Sequence, residues 1–486
     1  MEQTAARADD RAYPWLAALL AAAGLYACWA MLPLAWDGSW QFVDTLIRGR
    51  PYTYFARVHT WPMWWPTVWL AHLTSNTRVL LVAFGGPFIL APAAALLWCW
   101  FLARREAPGA LRWAAVGIAV GALPGQVFLI SDTILMNHLI WPVLVGAVVP
   151  LTWRRGLPLL IPATVQFIHL NGLFYLAGAA IAAVVVGVLK PGALRHQLVK
   201  AALLLAVFGL AAAKMRAFPD AQVGVEASPM ELLKRWHNGV EGRPLWGMIG
   251  FWVAAGCGAV ATWRVANPAG RRWLWRAAAL SAAVGCGIWL SWAAFPVHWR
   301  LAIDYRRYVL PLTLPFYAMA TFAAAVPARR PTGDGPDAPP APSRARSALP
   351  AIACAAFALV LGVQSTLWLG MVRRLQADVA ARPAAVATID DVPWVRGTAL
   401  EHWTLTSVHI AAGGPVQHKL LAWDPAWAEG LHQTPANVPV VDPAWFAYEP
   451  APGPLGFYDF RPLVEAARAE RAERARAATA TTRPGR

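Results

Sequence analysis

Apolar runs close to the thickness of a bilayer recur along the chain. They cover 15–35, 77–103, 112–130, 136–152, 157–189, 198–217, 244–264, 273–295, 305–327 and 348–371. A helix needs about 20 apolar residues to cross the hydrocarbon core. Only helices or closed barrels satisfy the backbone in lipid, and the short alternating segments of a barrel are absent. The pattern predicts an all-α polytopic membrane protein. The first run follows Arg7 and Arg11, is too long for a signal-peptide core and lacks a clean cleavage site, so it reads as a retained anchor.

The run 157–189 is ambiguous by length alone. One helix of that length would reach about 50 Å, against a core of about 30 Å. His169, Asn171 and Gly172 sit at its middle. Charge selects the alternative. Cytoplasmic loops are enriched in Lys and Arg. Arg104, Arg105 and Arg112 mark one such loop, Arg154 and Arg155 the next, and Lys190, Arg195 and Lys200 another. The last two lie on one side only if 157–189 crosses twice, as a hairpin turning at 169–172. The same threading keeps Arg264, Arg271, Arg272 and Arg276 inside, with Arg329, Arg330, Arg344 and Arg346. It gives about eleven transmembrane helices, a cytoplasmic N-terminus and an outer C-terminus.

The remaining segments are polar. Residues 327–347, rich in Pro, predict a flexible cytoplasmic linker. The multi-span part is thus 1–371. Scattered charges and the β-like pieces AVATID, LTSVHIA and VQHKLLAW predict a small α/β extracytoplasmic C-terminal domain over 372–470. The Ala/Arg/Glu-rich end, 471–486, reads as a disordered tail or a short helix that frays.

Composition agrees, with 58% hydrophobic and 14% charged residues. The net charge of +16 is no nucleic-acid signal, because most cations sit in short clusters between apolar runs. Of the 42 basic residues only five are Lys, a bias that reads as genome composition. Cys28, Cys99, Cys257, Cys286 and Cys354 all lie in apolar runs without metal-type spacing, as small buried side chains do.

The threading gathers polar residues on one face. The outer loops are 36–76, 131–135, the turn at 169–172, 218–243 and 296–304. They hold Asp37, Asp44, Arg48, Arg50, Arg57 and His59, then Asp132 and His138, His169 and Asn171, and HWRLAIDYRRY with Asp304, Arg306, Arg307 and Tyr308. Carboxylates suit proton abstraction from a hydroxyl. The planar, always charged guanidinium suits phosphate. The set suggests a site for a phosphate-bearing lipid and a hydroxyl acceptor. Each residue also has a plainer use. Asp37 would cap a helix, Asp44 would pair with Arg48 at i,i+4, His138 would hydrogen-bond within its helix, and His169 with Asn171 would close a turn. Trp40, Trp61, Trp64, Trp65 and Trp69 fit an interfacial belt.

On these residues the chain resembles the GT-C superfamily of polytopic glycosyltransferases. An acid follows the first span in a large outer loop, Asp37 in AWDGSWQF, with Asp44 beyond it. DYRRYVLPLTLPFYA resembles the family's R-Y-x-L-P element opening a late span, carried by Arg307, Tyr308, Leu310 and Pro311. The resemblance implies transfer of a sugar from a polyprenyl-phosphate donor to an acceptor glycan, lipid or protein. The reaction would take place at the outer face of a bacterial inner (cytoplasmic) membrane. Asp37, or else Asp44, would be the base. Arg306 and Arg307, with Arg57, would stabilise the leaving phosphate, and His59, Asp132, His138, His169, Asn171, Asp304 and Tyr308 would line the substrate site. Two carboxylates without a third ligand make a weak metal site, so no metal is assigned and a divalent cation stays open. A transporter, which wants polar groups along a path through the bilayer, and a non-catalytic envelope scaffold are the competing readings.

Overall fold

The computed structural model describes residues 2–35, 37–51, 61–122, 130, 132–168, 171–217, 309–325, 344–396, 398–401, 404–422, 440–442, 446–448 and 455–481. These are mostly helical. In chain order the helices are α1 Glu2–Trp29, α2 Asp37–Arg48, α3 Trp61–Ala71, α4 Thr77–Ile89, α5 Ala91–Ala103, α6 Pro108–Ala122, α7 Asp132–Val148, α8 Trp153–Gly156, α9 Leu160–Val165, α10 Asn171–Leu189, α11 Leu194–Ala217, α12 Val309–Ala325, α13 Arg344–Ala381, α14 Leu405–Gly413 and α15 Arg461–Thr481. Among the described residues four helices are long and apolar enough to cross a membrane: Ala12–Trp29, Gly172–Leu189, Leu194–Ala217 and Ala348–Ala381. A bent pair, α4 and α5, makes a fifth if it is one span. The runs 244–264 and 273–295 and the linker 327–343 lie outside the described residues.

The chain forms two compact units. The first combines 1–94, 126–135 and 357–486. In it α1 ends at Trp29, and Met31, with a φ of 63°, reverses the chain into a 3-10 turn, Leu32–Leu34. The indole N–H of Trp368 in α13 donates to the Met31 carbonyl at 2.8 Å and fixes this reversal. Behind the turn α2 starts at once. The loop expected over 36–76 is therefore largely helical: α2 and α3 pack against α4 through Phe42, Trp64, Phe84 and Phe88, with ring centroids 5.3 to 6.2 Å apart. The run expected as one span over 77–103 is broken, since α4 and α5 meet at 41°. Pro92, just inside α5, lacks the N–H that would continue the ladder and crowds the preceding turn.

The C-terminal segment belongs to this same unit. Helix α13 runs 38 residues, ten beyond the span expected to end at 371. Strands β1 Val386–Thr388 and β2 Leu420–Ala422 pair in parallel, in register Val386 with Leu420. Strands β3 Val440–Asp442 and β4 Phe446–Tyr448 pair antiparallel. AVATID and VQHKLLAW thus supply β1 and β2. LTSVHIA is a correction: it forms the helix α14, every residue of Leu405–Ala411 being buried, because burial on all sides obscures the period that separates strand from helix. The Ala/Arg/Glu-rich end takes the second of its two readings, a helix, which runs through Thr481.

The second unit combines 95–125 and 136–356. Its core is α6 against α12 and α10 against α11 and α12. The run 157–189 folds here as two limbs. Leu159 lies against Gly146, while the Gln166 amide donates to the Met136 carbonyl at 3.3 Å. The first limb therefore runs antiparallel along α7. A side chain at Gly172 would sit 1.8 Å from the Gln166 carbonyl oxygen, so the turn into α10 admits only glycine there. The limb is short. α9 has six residues, and its broken end is satisfied by side chains, with Gln166 donating to the Pro162 carbonyl at 3.2 Å and Lys214 to that of Phe167 at 3.2 Å.

Lysine has a consistent use. Lys190 donates to the Ala324 carbonyl at the end of α12. Lys200 donates to Gly146 and Ala147 at 3.2 and 3.4 Å, and to Val149, at the end of α7. Lys214 serves the end of α9, and Lys419 donates to Ala380 and Arg382 at the end of α13. The last carbonyls of a helix have no partner within it, and a flexible ammonium with three donors fits them. Cys28, Cys99 and Cys354 are buried and free.

Candidate functional site

The acid-bearing helix α2 is nearly enclosed. Ser39, Trp40, Phe42, Val43, Thr45 and Leu46 are buried, with α3 and α4 beside it and α14 packed against it. Its first residue is Asp37. Gly38 explains the spacing that follows: a Cβ there would lie 2.0 Å from the Pro33 carbonyl oxygen and 2.9 Å from Ile130. The start of α2 thus presses on residue 130, two positions before Asp132. Asp132 opens α7 and is half-buried. The structure therefore brings together the backbone that carries Asp37 and the loop that carries Asp132, which are far apart in sequence.

Asp44 is buried at 6% exposure. Its carboxylate accepts from Arg48 Nε at 2.6 Å, one turn on, so the i,i+4 pairing is formed. Burial lifts the Asp44 carboxyl above its usual range; Arg48, and then Arg50, hold part of that rise back. One carboxylate oxygen of Asp44 is thus already occupied by the Arg48 guanidinium, and taking a proton there would break the pair.

His138 differs from its expected place at an outer loop. It is 1% exposed within α7, in the second unit, because α7 begins at Asp132 and has already entered apolar packing six residues later. Its neighbour Asn137 is buried too, and the Tyr175 and Tyr317 hydroxyls each lie 3.5 Å from its Oδ1. Asn171 is the first residue of α10. Arg57, His59, His169, Asp304, Arg306, Arg307 and Tyr308 lie outside the described residues. Among the described residues no group of three or more His, Cys, Asp and Glu is placed to hold a metal ion.

One constellation was not legible in the sequence. His409 of α14 is 4% exposed. Its Nδ1 faces Gln376 Nε2 of α13 at 3.1 Å, and the same Nε2 donates to the His409 carbonyl at 2.9 Å. Its Nε2 meets the Lys419 carbonyl at 3.2 Å. A donor faces Nδ1 and an acceptor faces Nε2, so the network assigns the neutral ring with its proton on Nε2. Burial pushes this imidazole down to about 4, the Lys419 carbonyl opposing.

No family matches the chain, and no curated protein and no solved structure matches it.

Proposed function

We propose that the protein is a membrane glycosyltransferase that moves a sugar from a polyprenyl-phosphate donor to an extracytoplasmic glycan, lipid or protein acceptor. The observation that carries this reading is the placement of α2. Directly after the first apolar helix, the segment bearing Asp37 and Asp44 folds back, and Gly38 lies against the loop of Asp132. With Asp44 engaged by Arg48, Asp37 is the base that deprotonates or orients the acceptor hydroxyl, and Asp44 positions α2. Arg306 and Arg307, with Arg57, stabilise the departing phosphate, where charge develops.

The sidedness has its own support within the second unit. Arg155 pairs with Glu106 at 2.8 Å. Gly109 lies against Ala323, and Lys190 binds the Ala324 carbonyl. The basic turns near 105, 155 and 190 therefore gather at one end, as cytoplasmic loops do, and Gln166 and Gly172, at the far end of α10, lie at the other. This supports a polytopic membrane protein whose second unit carries its basic turns at one, cytoplasmic, end. One observation favours a second reading, a non-catalytic scaffold: the Asp44–Arg48 pair is a structural use of an acid.

The test incubates the purified protein with a panel of polyprenyl-phosphate sugars and identifies the consumed donor by mass spectrometry. We expect one donor to be consumed, and Asp37→Asn to abolish transfer with expression and folding intact. No donor consumed by the wild type would leave the scaffold standing, and full activity in both Asp37→Asn and Asp44→Asn would overturn the assignment of the base.

A further inference from the structure

The acid-bearing helix α2 is covered by α14, and besides its apolar burial and the Gln417 amide on its Ile410 carbonyl at 3.3 Å, α14 is fastened through one titratable ring. The fastening joins three elements: α13 through Gln376, α14 through His409, and the approach to β2 through the Lys419 carbonyl. It accepts one state of the ring only. A proton added to Nδ1 would point at the amide N–H group of Gln376. Turning that amide would relieve Nδ1 but set the amide oxygen against the His409 carbonyl, which now accepts from the same nitrogen.

Arg374, Asp378, Lys419 and Asp44, on the packed elements, have partners of their own. On α13 Arg374 and Asp378 lie 3.7 Å apart, with Arg373 beside them. Before β2, His418 precedes Lys419, whose ammonium binds the Ala380 and Arg382 carbonyls. On α2 Asp44 is paired with Arg48, and Asp37 opens the helix. The carbonyl, not a carboxylate, is what meets the ring at Nε2.

We propose that α14 is an acid-released clamp on α2, with His409 as its positioning residue: the neutral ring holds α14 in place, and protonation frees both helices together. The consequence for catalysis rests on the function proposed above; the clamp itself does not. The sign follows from linkage. The clamped ring is neutral and the released ring binds a proton near pH 6.5, so acid favours release. Release gains up to about tenfold per pH unit below 6.5, and about thirtyfold between pH 7.5 and 5.0.

Hydrogen exchange read by mass spectrometry on the full-length protein in detergent tests this without using activity. After correction for intrinsic exchange, peptides 37–48 and 405–413 should lose protection in parallel, by about thirtyfold from pH 7.5 to 5.0. His409→Gln, which keeps a donor and an acceptor, should abolish the pH dependence. If that variant fails to fold, Gln376→Glu, whose carboxylate accepts from a protonated Nδ1, should reverse the sign instead, acid then protecting both peptides. Unchanged protection of 37–48 in the wild type, release of 405–413 without 37–48, or a variant that follows the wild type would each overturn the clamp. With exchange as expected but no donor consumed, the clamp stands and the glycosyltransferase reading falls.

Discussion

Replacing Lys200 by Met tests how the helix ends of the second unit are satisfied. Helix α7 stops at Val148 and is followed by Pro150. The Gly146 carbonyl would accept from residue 150, which has no N–H. The Ala147 and Val149 carbonyls lie past the last intrahelical donor. All three accept from Lys200. Met keeps the length and apolar stem and removes only the ammonium. An orphaned buried acceptor costs about 1–3 kcal/mol. Three of them set an upper bound, from which the desolvation of the ammonium, several kcal/mol on its own, must be subtracted. We expect a net loss of about 2–4 kcal/mol. At roughly 2–4 °C per kcal/mol for a unit of this size, the midpoint of thermal unfolding in detergent should fall by about 5–15 °C. Lys200→Arg should restore less than half of it, because a planar fork cannot aim at three divergent carbonyls. A Met variant within about 1 °C of the wild type, or full rescue by Arg, would refute the capping role.

Gly38→Ala should lower the unfolding midpoint and the yield of folded protein, at about 1–3 kcal/mol or more for a methyl forced against a backbone carbonyl; Gly86→Ala, which meets nothing within 4 Å, is the matched control. Gly172→Ala should be worse tolerated than Gly178→Ala, since only the first meets the Gln166 carbonyl. Asp44 has a definite pH signature: with its carboxyl held above the unfolded value, the native state favours the protonated acid, so its contribution to stability falls as pH rises from about 4. The stability of Asp44→Asn relative to wild type should therefore be greater at pH 7 than at pH 4, measured by denaturation at both.

The mostly helical, membrane-compatible character was legible because apolar length is a direct consequence of lipid solvation, and four or five of the expected spans stand among the described residues. The two-limbed fold of 157–189 followed from charge counting, and Gly146, Leu159, Met136 and Gln166 now give it a geometric basis. The i,i+4 relation of Asp44 and Arg48 was also written in the spacing. What could not be read was burial. The segment 36–51 looks like a polar loop because it holds acids and arginines, yet α2 is enclosed, with Asp44 paired to Arg48. LTSVHIA reads as a strand because a helix buried all round has no polar stripe. The lysines read as topology markers, since a sequence does not say which carbonyls end up within reach of a side chain from another helix.

The make-up of the first unit has a consequence for biogenesis. Its opening helices emerge early, but the cover over α2 is supplied only when residues 405–413 have been made. Until then an amphipathic segment with a charged pair stands waiting beside the nascent bundle, with the long loop closure still ahead of it. A chain cut before α14 would keep every helix that precedes it and still be unfinished at its oldest end, open to quality-control proteases there rather than at the cut.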